Sequence, residues 1–254
     1  MNTDKGRLYL VPAPLDFGCE QFAPIQDVMP LQTLQIAARL GYFICENAKS
    51  TRAYLKRVGE HVELKQPIRA LQITELPREV HRKGDHTGNF DARPLLKAAM
   101  DGHDIGLVSE AGMPAIADPG SSVVRAAHDL GIEVSALTGP MSLMLALASS
   151  GLNGQNFAFV GYLPQDSGER SVRIKALESL ALKSGQTQIF IETPYRNAAL
   201  LQALLQTLQG NTRLAISCGL TLSTAWNKSA TVDKWKKDKP APPLGLPTVF
   251  CIGR

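Results

Sequence analysis

Hydrophobic residues alternate along the chain between short continuous runs and segments with helical spacing. The run Arg7–Val11 predicts a first buried strand, and Pro12-Ala13-Pro14 directly after it cannot continue a hydrogen-bonded ladder. In Leu31 to Leu40 the apolar residues recur at intervals of three and four, which indicates an amphipathic helix. The remaining pattern predicts strands at 42–45, 69–73, 104–109, 132–137, 157–160, 187–191, 213–217 and 248–252, and helices at 51–58, 93–100, 122–130, 141–149, 170–182 and 195–208.

This alternation of strands and helices predicts an α/β fold. The strand segments are apolar throughout, which is typical of parallel strands covered on both faces. Nine strands are many for one sheet, and the break at Ala117–Gly120 predicts two domains, residues 1–118 and 119–254. The polar stretch 78–89 and the basic, proline-rich stretch 233–247 are predicted to be loops.

Composition supports a folded protein and excludes several classes. Of the 254 residues, 44% are hydrophobic and 20% are charged, so the chain can bury a sizeable core. No apolar stretch approaches the roughly 18–20 residues that a spanning helix needs, and we expect a cytoplasmic protein without a membrane segment. The net charge of +4 permits a polyanionic partner without requiring one. The scattered cysteines show no metal-ligand spacing, which predicts reduced thiols and no metal site: Cys19, Cys45, Cys218 and Cys251.

Glycine and proline cluster at 12–14, 110–114 and 138–140, each time directly after a predicted strand. Ligands of parallel α/β sheets bind at the carboxyl ends of the strands. Gly112 and Gly139 would let the backbone approach a ligand closely. One such cluster alone indicates only a tight turn, but three in this arrangement predict a shared pocket. Neither a phosphate-binding loop nor a dinucleotide-binding glycine motif is present, so ATP, GTP and NAD lack their usual sequence support.

Several short motifs occur in a characteristic order along the chain. They are Leu8–Pro14, Glu46 with Ser50–Arg52, Leu107–Pro114, Asp118–Gly120, Leu137–Pro140, Gly161–Pro164 and Ile191–Arg196. This series resembles the tetrapyrrole (corrin/porphyrin) methylase family, the class III S-adenosylmethionine-dependent methyltransferases. Within that family it is most similar to the ribosomal RNA small subunit methyltransferase I group, which methylates a cytidine 2′-oxygen.

The resemblance implies a two-domain tetrapyrrole-methylase-like fold, with a parallel sheet in the N-terminal domain and a mixed sheet in the C-terminal domain. It also implies that S-adenosylmethionine binds in the cleft between the domains and that the protein is a homodimer. The positions that match the family's donor-binding motifs are Pro12, Leu15, Ser109, Glu110, Ala111, Gly112, Met113, Ile116, Ala117, Thr138, Gly139, Ser142, Tyr162 and Leu163.

Two residues are candidates for the catalytic step that the resemblance implies. Glu46 could accept a proton from a ribose hydroxyl, and Arg52 could bind a phosphate or orient the acceptor. A surface ion pair between Glu46 and Arg52 is the structural alternative. The basic segments 49–57 and 228–239 favour ribosomal RNA as the partner, although charged runs are often only solvated faces.

The chain also departs from the group's pattern. Gly219–Leu222 stands where the group has Glu-Leu-Thr-Lys, and Leu244–Pro247 stands where it has Lys-Gly-Glu. Three hypotheses therefore stay open. The first is a methyltransferase that modifies the ribose 2′-oxygen of ribosomal RNA. The second is a methyltransferase acting on a tetrapyrrole or another small molecule, and the third is a non-catalytic paralogue that binds the donor or RNA.

Overall fold

The computed structural model describes residues 5–16, 18–83, 85 and 90–254, and these form two compact α/β units. The first unit runs to Pro140. The second comprises Met141–Arg254 together with Cys19–Gln21. The described residues contain one parallel and one mixed sheet of five strands each, which confirms the predicted fold class.

The sheet of the first unit is parallel throughout, in the order β3-β2-β4-β1-β5. Its central strand β4 is apolar and completely buried, as expected for a strand covered by helices on both faces. The strands are β1 Leu8–Val11, β2 Tyr42–Cys45, β3 Gln72–Glu75, β4 Ile105–Val108 and β5 Val134–Ala136.

Helices cover both faces of this sheet. One apolar cluster packs Leu34 and Leu55 against Phe43, and another packs Val123 and Ala99 against the opposite face. The helices are α1 Ile25–Val28, α2 Leu31–Arg39, α3 Ala48–Gly59, α4 Arg78–Lys83, α5 Lys97–Met100 and α6 Ser121–Asp129.

The second unit has a mixed sheet in the order β6-β7-β10-β8-β9, in which β6 and β7 are parallel and the other pairs antiparallel. Phe190 stacks on Phe250 in its core, and the indole Nε1 of Trp235 donates to the Leu214 carbonyl over 2.8 Å. Its elements are α7 Ser142–Ser150, β6 Phe157–Tyr162, α8 Ser167–Ser184, β7 Thr187–Glu192, α9 Asn197–Thr207, β8 Arg213–Cys218, β9 Trp226–Thr231, α10 Val232–Asp238 and β10 Thr248–Gly253.

Two predicted loops contain helices. Within 233–247, α10 forms because Val232 and Trp235, three residues apart, are buried while the lysines between and after them face solvent. The strand before it, β9, was not predicted from the sequence, because Trp226–Thr231 is largely polar and forms an edge of the sheet. Helix α4 occupies the start of the predicted loop 78–89, of which residues 84 and 86–89 lie outside the described part.

The division between the units differs from the predicted one. The sequence placed it after residue 118, whereas the first unit continues to Pro140. The reason is that α6 and β5 complete the first sheet: Leu8 pairs with Val134, and Val123 is buried in the same cluster as Leu8. The glycine and proline break before α6 is thus a turn within the unit.

No helix within the described residues is long and apolar enough to cross a bilayer. The longest, α8, has 18 residues but carries six charged side chains: Glu169, Arg170, Arg173, Lys175, Glu178 and Lys183.

Candidate functional site

The three glycine and proline clusters follow strands of one sheet at one edge. Clusters 12–14, 110–114 and 138–140 come after β1, β4 and β5, and β1 pairs in parallel with both neighbours. Because parallel strands end at the same edge, the loops that follow them lie side by side. The three clusters therefore lie at a common carboxyl edge, and a pocket shared between them stays a prediction.

The loops after β1 and β4 are joined by backbone hydrogen bonds. The Ala13 amide donates to the Gly112 carbonyl and the Gly112 amide to the Ala13 carbonyl, each over 2.9 Å. Gly112 has a φ of +72°, and a Cβ there would lie 3.2 Å from Cδ2 of Leu15. The buried Ser109 hydroxyl donates to the Gly112 carbonyl over 3.1 Å, so that hydroxyl is used within the loop. Backbone hydrogen bonds thus join the two loops, both of which contain predicted donor-binding positions.

The loop after β5 packs directly on the loop after β1. A Cβ at Gly139 would lie 2.3 Å from Cγ of Pro12, a distance that no side chain can adopt. The Thr138 carbonyl accepts a hydrogen bond from the Thr33 hydroxyl at 2.7 Å, which ties this loop to α2. Gly139 is therefore required for the contact between the two loops.

The segment after β4 contains strained backbone. Ala115 and Ala117 adopt φ values of 64° and 66°, and a left-handed conformation costs a residue with a Cβ about 1–2 kcal/mol. Ile116 between them is 41% exposed, although it is a large apolar side chain. Such strain is concentrated at ligand-binding loops, where the surrounding structure holds it in place. The turn therefore presents an apolar side chain and backbone groups at the carboxyl edge.

Three carboxylates interact at this edge. Glu46 follows β2 and Glu110 lies two residues beyond β4, and these strands pair in register from Tyr42–Ile105 to Cys45–Val108. The Ser50 hydroxyl donates to Oε1 of Glu110 over 3.1 Å. Burial, together with the negative charges of Glu46 and Glu110, raises the pKa of Asp118 to about 7. Near neutral pH this carboxylate cluster (Glu46, Glu110 and Asp118) therefore holds a proton on Asp118 in a large fraction of molecules.

The cluster does not form a metal centre. Among the residues that the structure describes, no three His, Cys, Asp or Glu side chains are arranged to hold a metal ion. Arg52 lies exposed in the early part of α3. The N-cap of this helix is Asn47, whose side chain accepts from the amides of Lys49 and Ser50. The cation of Arg52 lies near enough to Cys45, at the end of β2, to oppose the increase in pKa that burial causes there.

The other predicted donor-binding residues belong to the second unit. Ser142 is the first residue of α7 and is half-buried. Tyr162 ends β6 and is 57% exposed. Leu163 is buried in the core cluster of this unit with Ile174 and Phe190. Its side chain therefore serves packing, and only its backbone is left for contact with a ligand.

An internal ion pair that the sequence did not reveal fixes the loop after β1. The buried Asp16 carboxylate accepts two hydrogen bonds of 2.9 Å from Arg57 and one of 3.1 Å from the Ala23 amide. Arg57 also donates to the Ala23 carbonyl over 2.8 Å. Asp16 follows Leu15 directly, so this pair holds the chain next to a candidate donor-binding residue. Arg57 is 41 residues away, and no local pattern connects them.

Solved structures share this fold. The methyltransferase CobJ matches with a TM-score of 0.57 and 17% identity, over 98% of this chain and 94% of that one. A uroporphyrin III C-methyl transferase from Thermus thermophilus matches with a TM-score of 0.54 and 16% identity, over 98% of both chains. At this level of identity the likeness concerns the fold.

Curated relatives and a family model extend the likeness to the sequence. The ribosomal RNA small subunit methyltransferase I of Mesorhizobium japonicum is 31% identical over 84% of this chain and 63% of that protein. The protein of the same name from Escherichia coli O157:H7 is 28% identical over 85% of this chain and 65% of its own length. The chain thus spans less than two thirds of these relatives. The family model described as Tetrapyrrole (Corrin/Porphyrin) Methylases matches residues 27–225, and the chain belongs to that family.

Proposed function

We propose that this chain is an S-adenosylmethionine-dependent methyltransferase whose donor binds at the carboxyl edge of the parallel sheet. The observation that carries the proposal is the joined surface of three loops: Ala13 is paired with Gly112, and Gly139 is packed on Pro12. Membership of the tetrapyrrole methylase family supports it. Loops joined by such contacts suit a reaction in which the protein mainly aligns the reactants.

The residues at this edge fit the donor. Its amino acid and ribose need polar partners, which the backbone of the loop after β4 and the exposed Thr138 offer. Its adenine needs an apolar surface, which the exposed Ile116 offers. Bound S-adenosylmethionine would supply a methyl group on a positively charged sulfur. The residues we assign to the site are Pro12, Leu15, Ser109–Met113, Ile116, Ala117, Thr138 and Gly139. Donor binding by Ser142, Tyr162 and Leu163 stays a prediction from the family resemblance.

For the acceptor we propose a ribose 2′-hydroxyl of ribosomal RNA. The names of the curated relatives support this class of substrate. The chain also offers exposed cations for phosphate contacts, on α3 and α10, at Lys49, Arg52, Lys56, Lys234, Lys236 and Lys237. Binding through such contacts should weaken steeply as salt increases.

The carboxylate cluster gives the acceptor hydroxyl a proton acceptor. We assign Glu46 that role, because it follows β2 directly and its charge acts on Asp118, which lies in the segment after β4. Arg52, exposed on α3, would bind an adjacent phosphate of the RNA. A homodimer stays a prediction from the family resemblance, and a cytoplasmic location stays a prediction from the composition of the chain.

Calorimetry on two alanine variants tests the donor site. Gly139→Ala places a methyl group into Pro12, whereas Gly154→Ala, the matched control, meets no atom within 4 Å. We expect Gly139→Ala to lower the affinity for S-adenosylmethionine and its demethylated product at least tenfold, and Gly154→Ala to leave it unchanged. Equal affinities in both variants would contradict the proposed donor site.

Transfer of a labelled methyl group tests the acceptor. The parent protein is incubated with labelled donor and either ribosomal subunits or a uroporphyrinogen. The expected result is label in the RNA. The phosphodiester bond next to the labelled ribose should resist alkali, because the 2′-oxygen is blocked. Label in the tetrapyrrole alone would contradict the RNA acceptor, and donor binding without any transfer would identify a non-catalytic paralogue.

A further inference from the structure

The amino-terminal edge of the parallel sheet, opposite the proposed donor site, carries a polar groove. Two cavities of about 620 and 360 Å³ adjoin there and share the lining residues Tyr42, Gln72 and His103. The larger one has the size of a small-molecule site. Four-residue strands separate this groove from the carboxyl edge by about 13 Å, since a strand rises about 3.3 Å per residue. The groove therefore lies apart from the site described above.

A stacked pair of rings forms the centre of the groove. Tyr42, the first residue of β2, and His103, just before β4, lie with ring centres 4.9 Å apart and planes inclined by 22°. Tyr42 is half-buried and His103 is exposed, so the pair is anchored on the inner side and open on the outer side. An exposed ring supported from below is the arrangement on which proteins stack unpaired nucleobases.

Positive charge borders the stacked pair. Arg39 and Lys65 line the larger cavity, and both are exposed. Arg39 is held in position because it donates to the Tyr9 hydroxyl over 2.6 Å and lies 3.7 Å from a carboxylate oxygen of Asp104. Asp104 in turn accepts from the Arg7 amide over 2.9 Å. Asp101, which lines the smaller cavity, is paired with Lys97 over 2.8 Å. Both acids in the groove are thus engaged by the protein, while Lys65 and part of Arg39 face solvent.

The floor of the groove is open because it is built partly from glycine. Gly41 and Gly102 line the larger cavity, and Gly102 has a φ of +90°. A Cβ at Gly41 would approach within 2.9 Å of Nε2 of Gln66, so a side chain there would fill the cavity. The adjacent strand β3 is an edge strand whose Gln72 and Thr74 are exposed. The cavity is thus polar on its sides and accessible along its length.

We infer that this groove binds one unpaired nucleotide, with its base stacked on His103 and its phosphate held by Arg39 and Lys65. The source of the nucleotide is an RNA strand, because the groove is open along its length and would allow the strand to continue at both ends. The inference rests on the proposed RNA acceptor for its biological role. It adds a second RNA contact, remote from the carboxyl edge, that would help to select the substrate.

The test measures binding of a fluorescein-labelled single-stranded RNA of 12 nucleotides by anisotropy. We expect His103→Ala to weaken binding at least about fivefold, because base stacking on an aromatic ring is worth about 1–3 kcal/mol. His103→Phe should restore it, since it keeps a ring on Tyr42. Lys65→Gln should lower the magnitude of the slope of log K against log salt by about 0.7. Lys183→Gln, a matched loss of an exposed lysine in the second unit, should change neither quantity.

The outcomes separate this inference from the proposed function. Unchanged RNA binding in His103→Ala and Lys65→Gln overturns the groove, whether or not the parent protein methylates RNA. If the two variants bind RNA more weakly and the parent protein transfers no methyl group, the RNA contact in the groove is supported and the proposed function is refuted. If cytidine monophosphate binds in the groove and the 12-nucleotide RNA does not compete with it, the ligand is a free nucleotide and the RNA contact is refuted. Donor affinity and thermal unfolding of each variant report on folding.

Discussion

Replacing Asp118 with asparagine should alter how stability depends on pH. In the folded protein, burial and then the charges of Glu46 and Glu110 raise the pKa of this carboxyl from 3.8 to about 7. Unfolding exposes the group to water and returns its pKa to the ordinary value. Between about pH 4 and 7 the folded state therefore binds more protons than the unfolded state, and stability falls as the pH rises through this window. Asparagine has no proton to lose and removes that dependence.

The magnitude follows from the displacement of the pKa. One pKa unit corresponds to 1.36 kcal/mol, so a displacement of about three units sets an upper limit of about 4 kcal/mol between pH 4 and pH 8. Asp118 is only half-buried, and water screening reduces the effect. We expect the difference in free energy of unfolding between Asp118→Asn and the parent to move by about 2 kcal/mol, in favour of the variant, from pH 5 to pH 8.

Urea unfolding at several pH values measures this difference. The control is Asp91→Asn. Hydrogen bonds from the Arg93 side chain and amide lower the pKa of Asp91, so this group is ionised in both states above about pH 5. Its removal should therefore change stability by a constant amount from pH 5 to pH 8. If the difference for Asp118→Asn were equally constant, the three carboxylates would not interact and the proton-accepting role assigned to Glu46 would lose its support.

Two further variants probe the contacts that shape the first unit. Asp85→Ala should cost about 1–2 kcal/mol of unfolding free energy at pH 7, because Asp85 caps α6 by accepting from the amides of Gly120 and Ser122. Burial alone would raise the pKa of Asp85, but its hydrogen bonds lower it, so urea unfolding at a series of pH values should show the cost shrinking as the pH falls below about 4. Arg57→Ala should cost about 3–5 kcal/mol of unfolding free energy, because it leaves the buried Asp16 carboxylate unpaired. Arg57→Lys should restore only part of that free energy, since lysine cannot make the two parallel hydrogen bonds. An Arg57→Ala variant as stable as the parent in urea would contradict this account.

The central strands were predictable from the sequence, because strands that are buried on both faces consist of consecutive apolar residues. Ile105–Val108 is buried at every position, and a strand covered on both faces needs no alternation. The edge strand β9 is different, because Trp226–Thr231 includes the polar residues Asn227, Lys228 and Ser229. It forms a strand only because it pairs with β8 along its whole length. Its neighbour α10 buries only Val232 and Trp235, too few to produce a periodic pattern.

The candidate site was predictable in position but not in its side-chain chemistry. Glycine and proline after each strand indicated the carboxyl edge, because backbone geometry at a strand end is local. The link between Glu46 and Asp118 depends on the pairing of β2 with β4, which no spacing along the chain reveals. The same holds for Asp85, which accepts from the Ser122 amide 37 residues away. Interactions of this kind are set by the order of strands in the sheet.

The backbone conformation of the loop after β4 was not predictable from the sequence, although Ala117 was a candidate donor-binding residue. Ala115 and Ala117 have positive φ values, which the sequence pattern would assign to glycine. The strain persists because Pro114 and Pro119 restrict the chain on either side, and the Ala115 amide donates to the Pro119 carbonyl over 3.4 Å. Glycine at either position would relieve the strain but enlarge the unfolded ensemble and let the loop adopt other conformations. A loop held in one strained shape keeps Ile116 exposed at the carboxyl edge, as the donor site proposed above requires.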